Sequence, residues 1–192
     1  MPRQMLLAAA STLALAACDP VVDKPATPPA PTPDASQQTW LCGREFENKA
    51  WGFQRRGNVI DMQGNIWHYD FKGSPTALPN PWQAKDLAHM SKDELKMRYN
   101  GAMVTATKIP AADIARNFPL ITEAAKAQLT ERKIAGADRG ANVLYCYSYD
   151  AASHNYAQIL LDQNGDWTQT NPSDAAKKLI AWLDSAIGPQ VE

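Results

Sequence analysis

Asn142-Val143-Leu144-Tyr145-Cys146-Tyr147-Ser148-Tyr149 reads as a β-strand with two different faces. Side chains alternate across a strand, so Val143, Tyr145, Tyr147 and Tyr149 share one face while Leu144, Cys146 and Ser148 share the other. Polar residues 150–155 follow as a connection, and a second aromatic and aliphatic run spans 156–161. Asn164-Gly165 is a hairpin pair, because both residues tolerate the positive φ that tight hairpin turns require, and a third strand follows at 167–170. Three consecutive strands joined this way make an antiparallel meander, which sets the class of the whole domain.

Upstream, residues 58–71 carry a hairpin. Val59 and Ile60 lead into Asp61-Met62-Gln63-Gly64, where the Asp side chain can bond its own downstream backbone and Gly supplies the turn. In the returning strand Trp67, Tyr69 and Phe71 alternate with Ile66, His68 and Asp70, so three aromatics lie on one face and the other is mostly wet. Trp40-Leu41-Cys42-Gly43 is a first strand, and residues 103–109 suit another. Both hairpins place Asp-x-x-Gly after an aliphatic residue, at Ile60 and Leu161, which shared turn chemistry explains without a repeat.

Helices punctuate the strands. Ser91-Lys92-Asp93-Glu94 matches a capping box and opens a short helix that ends near Asn100-Gly101. After Pro110, the residues Ile114, Phe118, Ile121, Ala125 and Leu129 recur at helical spacing, and Pro119 predicts a kink or two abutting helices. The final helix has Ser173 as N-cap, Leu179, Ile180, Leu183 and Ile187 on one stripe, and Gly188-Pro189 as its stop. Pro75, Pro79 and Pro81 make residues 73–82 a loop. These elements predict one α+β domain over residues 40–192, an antiparallel sheet of hairpins and a meander with helices packed on one face. About 150 residues suffice for a single core. All six Trp, six Tyr and four Phe lie at or beyond Trp40.

The N-terminus is an address. Arg3 precedes a mainly apolar run over residues 5–17, too short to span a bilayer as a mature helix. It ends in Leu15-Ala16-Ala17-Cys18, which resembles the lipobox of bacterial lipoproteins. The resemblance implies removal of residues 1–17 as a signal peptide, a thioether-linked diacylglyceryl group on Cys18, and acylation of the freed amine, for example with palmitate. Two or three acyl chains make a stable anchor, so the implied location is the bacterial envelope, facing the periplasm. Asp19 resembles the retention signal that favours the inner membrane over the outer one in enteric bacteria. Residues 18–39 contain six prolines and no aromatic residue, so they have nothing to bury and are expected to form a disordered tether. At about 3.1 Å per residue it can hold the domain up to roughly 60 Å from the bilayer.

Charge and cysteines narrow the function. Removing Arg3 with the signal takes Lys+Arg from 19 to 18 against 20 Asp+Glu, a balance that predicts no nucleic-acid partner. With Cys18 lipidated, Cys42 and Cys146 remain in an oxidising compartment, where a disulfide is expected and two buried free thiols are the alternative. Asp162, Asn164 and Asp166 have calcium-loop spacing, but Trp167 and Ser173 occupy positions that such a loop gives to Gly and Glu, so no metal is expected. His68 with Asp70 could pair as a base and its orienter, although a solvent-facing strand explains both; His89 and His154 have no evident partner. No nucleophile, phosphate-loop or cofactor motif is present, and no enzyme activity is expected. Tyr145, Tyr147 and Tyr149, joined by Tyr156 across strands, are either core or an exposed aromatic binding surface, which coverage by helices decides. The expected function is a non-catalytic binding module with an envelope protein as partner, of the kind that inhibits a toxin or hydrolase as an immunity protein. A scaffold or assembly lipoprotein of an envelope machine and an envelope hydrolase without a recognisable motif are the alternatives.

Overall fold

A computed structural model describes residues 37–50, 52–73 and 87–188. Cys18, the signal peptide, Asp19 and most of the tether and of the proline-containing loop lie outside the described residues. The domain is α+β, built on an antiparallel sheet as the strand signals predict. Its strands are β1 (Trp40–Asn48), β2 (Phe53–Asp61), β3 (Asn65–Gly73), β4 (Met90–Ser91), β5 (Met103–Lys108), β6 (Lys133–Ile134), β7 (Ala141–Asp150), β8 (Asn155–Gly165) and β9 (Trp167–Thr170). They lie in the order β5-β3-β2-β1-β7-β8-β9-β6, with β4 paired to β8 off this path. The helices are α1 (Lys92–Arg98), α2 (Ala111–Ala125) and α3 (Asp174–Ile187).

The β2–β3 turn forms as its sequence dictates. Asp61 Oδ1 accepts from the backbone N–H groups of Gln63 and Asn65 at 2.9 and 2.8 Å. Gly64 takes φ +82°, and a Cβ there would collide with the Ile109 carbonyl, so Gly is required on two grounds. The second hairpin departs from its Asn-Gly signal: Asn164 and Gly165 stay in β8, paired with Asn142 and Ala141 of β7, while Asp166 accepts from the N–H groups of Arg139 and Gly140 at 2.8 and 3.2 Å and Asp162 from the Thr170 hydroxyl at 2.7 Å. Asp162 and Asp166 thus use their carboxylates to join separate segments of the sheet.

Two apolar layers flank the sheet. On one face Leu41, Cys42, Ile60, Ile66, Cys146 and Leu161 pack against Ile114, Ile121 and Ala124 of α2 and Ala176, Leu179 and Leu183 of α3. Cys42 stands opposite Cys146 in the β1–β7 register, and the two are joined in a disulfide across a sequence separation of 104. Arg44 ties β1 to the end of α3 by donating to the Asp184 carboxylate and, at 2.6 Å, to the Gly188 carbonyl. The two long helices therefore cover the disulfide face.

The opposite layer holds Val59, Tyr69, Met90, Leu95, Tyr99, Tyr145, Tyr147, Tyr149 and Tyr156. The short helix α1 and strand β4 sit here, so the tyrosine face has a cover of its own. Ser91 caps α1 with its hydroxyl on the Glu94 N–H, while the Glu94 carboxylate accepts from the Ser91 N–H at 2.7 Å. Three readings change in detail. Helix α2 runs unsplit through Pro119; Pro119 and Ala115, whose carbonyl loses its donor, are both exposed, so water can replace the lost bond. Leu129 leaves the helix because the chain crosses to the sheet edge, where the Thr130 N–H donates to the Thr170 carbonyl at 2.9 Å. Gln38, read as tether, is buried and donates to the carbonyls of Trp40 and Tyr147 at 2.8 and 2.7 Å.

Candidate functional site

Tyr145, Tyr147, Tyr149 and Tyr156 are at most 1 % exposed, so the aromatic stripe is core and not a binding surface. Leu95 of α1, Tyr99 at its C-cap and Met90 of β4 cover it. Burying phenols requires partners for the hydroxyls. The Tyr99 hydroxyl lies 2.7 Å from those of both Tyr145 and Tyr147, and Tyr69 bridges Tyr145 at 3.2 Å to the Glu45 carboxylate at 2.9 Å. Gly43 makes room for this arrangement, since a Cβ there would stand 2.7 Å from the Tyr145 hydroxyl. Tyr156 accepts from the Thr39 N–H at 2.8 Å, and the Tyr149 hydroxyl lies 3.2 Å from His154 Nδ1.

The tyrosine hydroxyls converge on a buried ion triad. Arg55 Nε donates to Glu45 Oε2 at 2.8 Å, Arg98 Nη2 donates to Glu45 Oε1 at 2.6 Å, and Arg55 Nη1 donates to the Arg98 carbonyl at 2.8 Å. The Arg55 guanidinium also lies 4.8 Å from the Tyr69 ring centroid and 5.2 Å from that of Tyr99. Burial raises the Glu45 carboxyl, but the charges of Arg98 and Arg55 and the hydrogen bonds from Arg55 and Tyr69 outweigh it and bring the pKa down to about 2 from the ordinary 4.5. Burial pushes the phenols of Tyr69, Tyr99, Tyr145 and Tyr147 up. Glu45 on β1 thus ties Arg55 of β2 to Arg98 of α1 as an internal strut. The signal for it was present in β2, where Arg55 shares a face with Phe53 and Val59, both buried.

The strut has a pH signature. The Glu45 pKa is depressed in the folded state, so its stabilisation is complete above about pH 4.5 and is lost as pH falls toward 2, an effect on the order of 3 kcal/mol. Melting temperature followed by circular dichroism is expected to drop across that window. A flat profile from pH 5 to 2.5 would contradict the assignment.

One cleft stands out on the same face, between α1 and the ends of β1, β2 and β3. It has a volume of about 520 Å³ and is walled by Trp40, Trp67, Tyr99 and Tyr156, with Thr39, Asp61, Lys92, Lys96 and Asn100 around them. Trp40 meets Trp67 edge to face at 5.7 Å between ring centroids and lies 4.7 Å from Tyr99. Trp40 and Trp67 are half-buried. Buried Asp61 fixes Trp67, accepting from its indole Nε1–H at 2.8 Å with the Oδ2 that also takes Asn65 Nδ2 at 2.8 Å. One carboxylate therefore folds the hairpin turn and orients the indole. Asp61 and Trp67 are each legible in the sequence, as turn and strand residues, but nothing local joins them to Trp40 and Tyr99.

The remaining candidates stay apart. Exposed His68 lies 3.2 Å from Asn58, while Asp70 pairs with Lys72 at 3.2 Å. Among the described residues no group of three His, Cys, Asp or Glu is placed to hold a metal ion, and no helix is long and apolar enough to cross a membrane. A second cleft of about 540 Å³ abuts the triad, with Glu45, Arg98, Arg132, Gln158 and Gln163 in its lining, and lacks an aromatic pair. The chain matches no family model, no curated protein and no solved structure.

Proposed function

We propose that the chain is a non-catalytic binding module, tethered through lipidated Cys18 to the bacterial envelope with its domain facing the periplasm, and that it grips an envelope protein with the Trp40–Trp67 cleft. The role that suits it is inhibition of a toxin or hydrolase. The observation that carries this reading is the oriented tryptophan pair. Tryptophan and tyrosine dominate binding energy at protein interfaces, and an indole already held by Asp61 loses little freedom when a partner docks.

Trp67→Ala is expected to weaken the partner by about 30-fold, the loss of a hot-spot residue. Lys96→Glu, at an exposed rim position where folding is insensitive, tests the same surface with melting temperature unchanged. Cross-linked envelopes from cells carrying each variant supply the capture, and equal recovery of the partner by wild type and both variants would place binding elsewhere. A recovered toxin or hydrolase supports inhibition, and a component of an envelope machine favours the scaffold role. Cys18→Ser is expected to abolish palmitate labelling and leave the domain out of the membrane fraction; label equal to wild type would end the lipoprotein reading.

A further inference from the structure

We infer that the cleft is a polyproline reader whose first occupant is the chain's own tether, residues 25–36. The inference rests on the reading of the cleft as a recognition surface and adds what that surface recognises. Aromatic grooves bind proline-rich segments because the ring of proline packs flat on indole and phenol faces, and because a polyproline II chain has little conformational freedom left to lose. Trp40, Trp67 and Tyr99 supply such a groove.

The position of the segment makes it the nearest candidate. Thr39 lines the cleft, and the described residues begin at Gln37, two positions before it. Immediately upstream stands Pro25-Ala26-Thr27-Pro28-Pro29-Ala30-Pro31-Thr32-Pro33-Asp34-Ala35-Ser36, which repeats Pro-x-x-Pro at 25–28 and 28–31. Asp34 and Ser36 are turn formers, as a chain that doubles back on Thr39 requires. Asp34 is also the only charge in residues 25–36, and Lys92 and Lys96, which outnumber Asp93 at the exposed rim, stand there to receive it. The link is covalent and short, so the effective concentration is in the millimolar range and a weak contact suffices to fill the cleft. A partner that binds the cleft then displaces the tether and lengthens the reach of the domain from the bilayer.

The test uses the full-length chain, with Pro25, Pro28, Pro29, Pro31 and Pro33 replaced by serine in one variant so that length is kept. The readout is the indole N–H resonances of Trp40 and Trp67, assigned with Trp→Phe variants, in pure protein without any partner. The serine variant is expected to move both resonances and to leave those of Trp167 and Trp182 in place. A synthetic peptide of residues 25–36 is then expected to return the two signals toward their wild-type positions, and to need about tenfold more peptide to act on wild type, whose cleft is already filled. Identical spectra for wild type and variant would overturn the proposal while leaving partner capture untouched. Concentration-dependent shifts that persist in the variant would assign the cleft to a second copy of the chain and also overturn it.

Discussion

Glu45→Ala is expected to destabilise the domain by about 3 to 5 kcal/mol, because it strands two guanidinium groups in the core. For a domain of this size that lowers the melting temperature by on the order of 10 °C. Glu45 is 2 % exposed, Arg55 1 % and Arg98 2 %, so the two guanidinium groups would lose their anion where little water reaches them. Nor can arginine shed its proton to escape, as lysine does when buried. The loss comes from breaking the triad and not from its net worth, which is small once desolvation is subtracted. Replacing all three members together, with Glu45→Leu, Arg55→Met and Arg98→Leu, is therefore expected to recover much of the stability that Glu45→Ala loses. Thermal melts of the single and triple variants decide the matter. A single variant within about 2 °C of wild type would mean that the charges are not desolvated in solution.

Loss of the disulfide is the second large effect. Cys42 and Cys146 are fully buried on the central strands β1 and β7, and the bridge closes a span of 104 residues. On the chain-entropy account a loop of that length restricts the unfolded chain by about 4 to 5 kcal/mol. Cys42→Ala combined with Cys146→Ala is expected to lose that amount. Since the whole domain is held by roughly 5 to 15 kcal/mol, the double variant would sit near its folding threshold. Burial adds a kinetic prediction: alkylation of the two thiols should require both reductant and denaturant. Mass spectrometry after native alkylation checks it, and two labelled cysteines in untreated protein would refute the bridge.

The parts of the fold that were legible in the sequence are those decided within a few residues. Asp61 to Asn65 makes a turn by local hydrogen bonding, Ser91 and Glu94 cap each other three positions apart, and the stripe of Leu179 and Leu183 repeats at one turn of helix. Alternation likewise sorted Cys146 from the tyrosines, and with Cys18 read as the lipid site Cys42 was its expected partner. Coverage obeys no such rule. Whether Tyr147 faces water or core depends on where seven residues of α1 dock, and a seven-residue helix says nothing in its own sequence about which face it will cover. Glu45 meets Arg55 across 10 residues and Arg98 across 53, and the cleft joins the first strand, the β2–β3 hairpin and the end of α1. The sequence by itself determined the α+β class, the β2–β3 hairpin and the caps, because each follows from local geometry. Only the tertiary structure decided that the tyrosines are core, that a buried charge triad underlies them, and that the tryptophans form a cleft, because those outcomes depend on which distant side chains exclude water together.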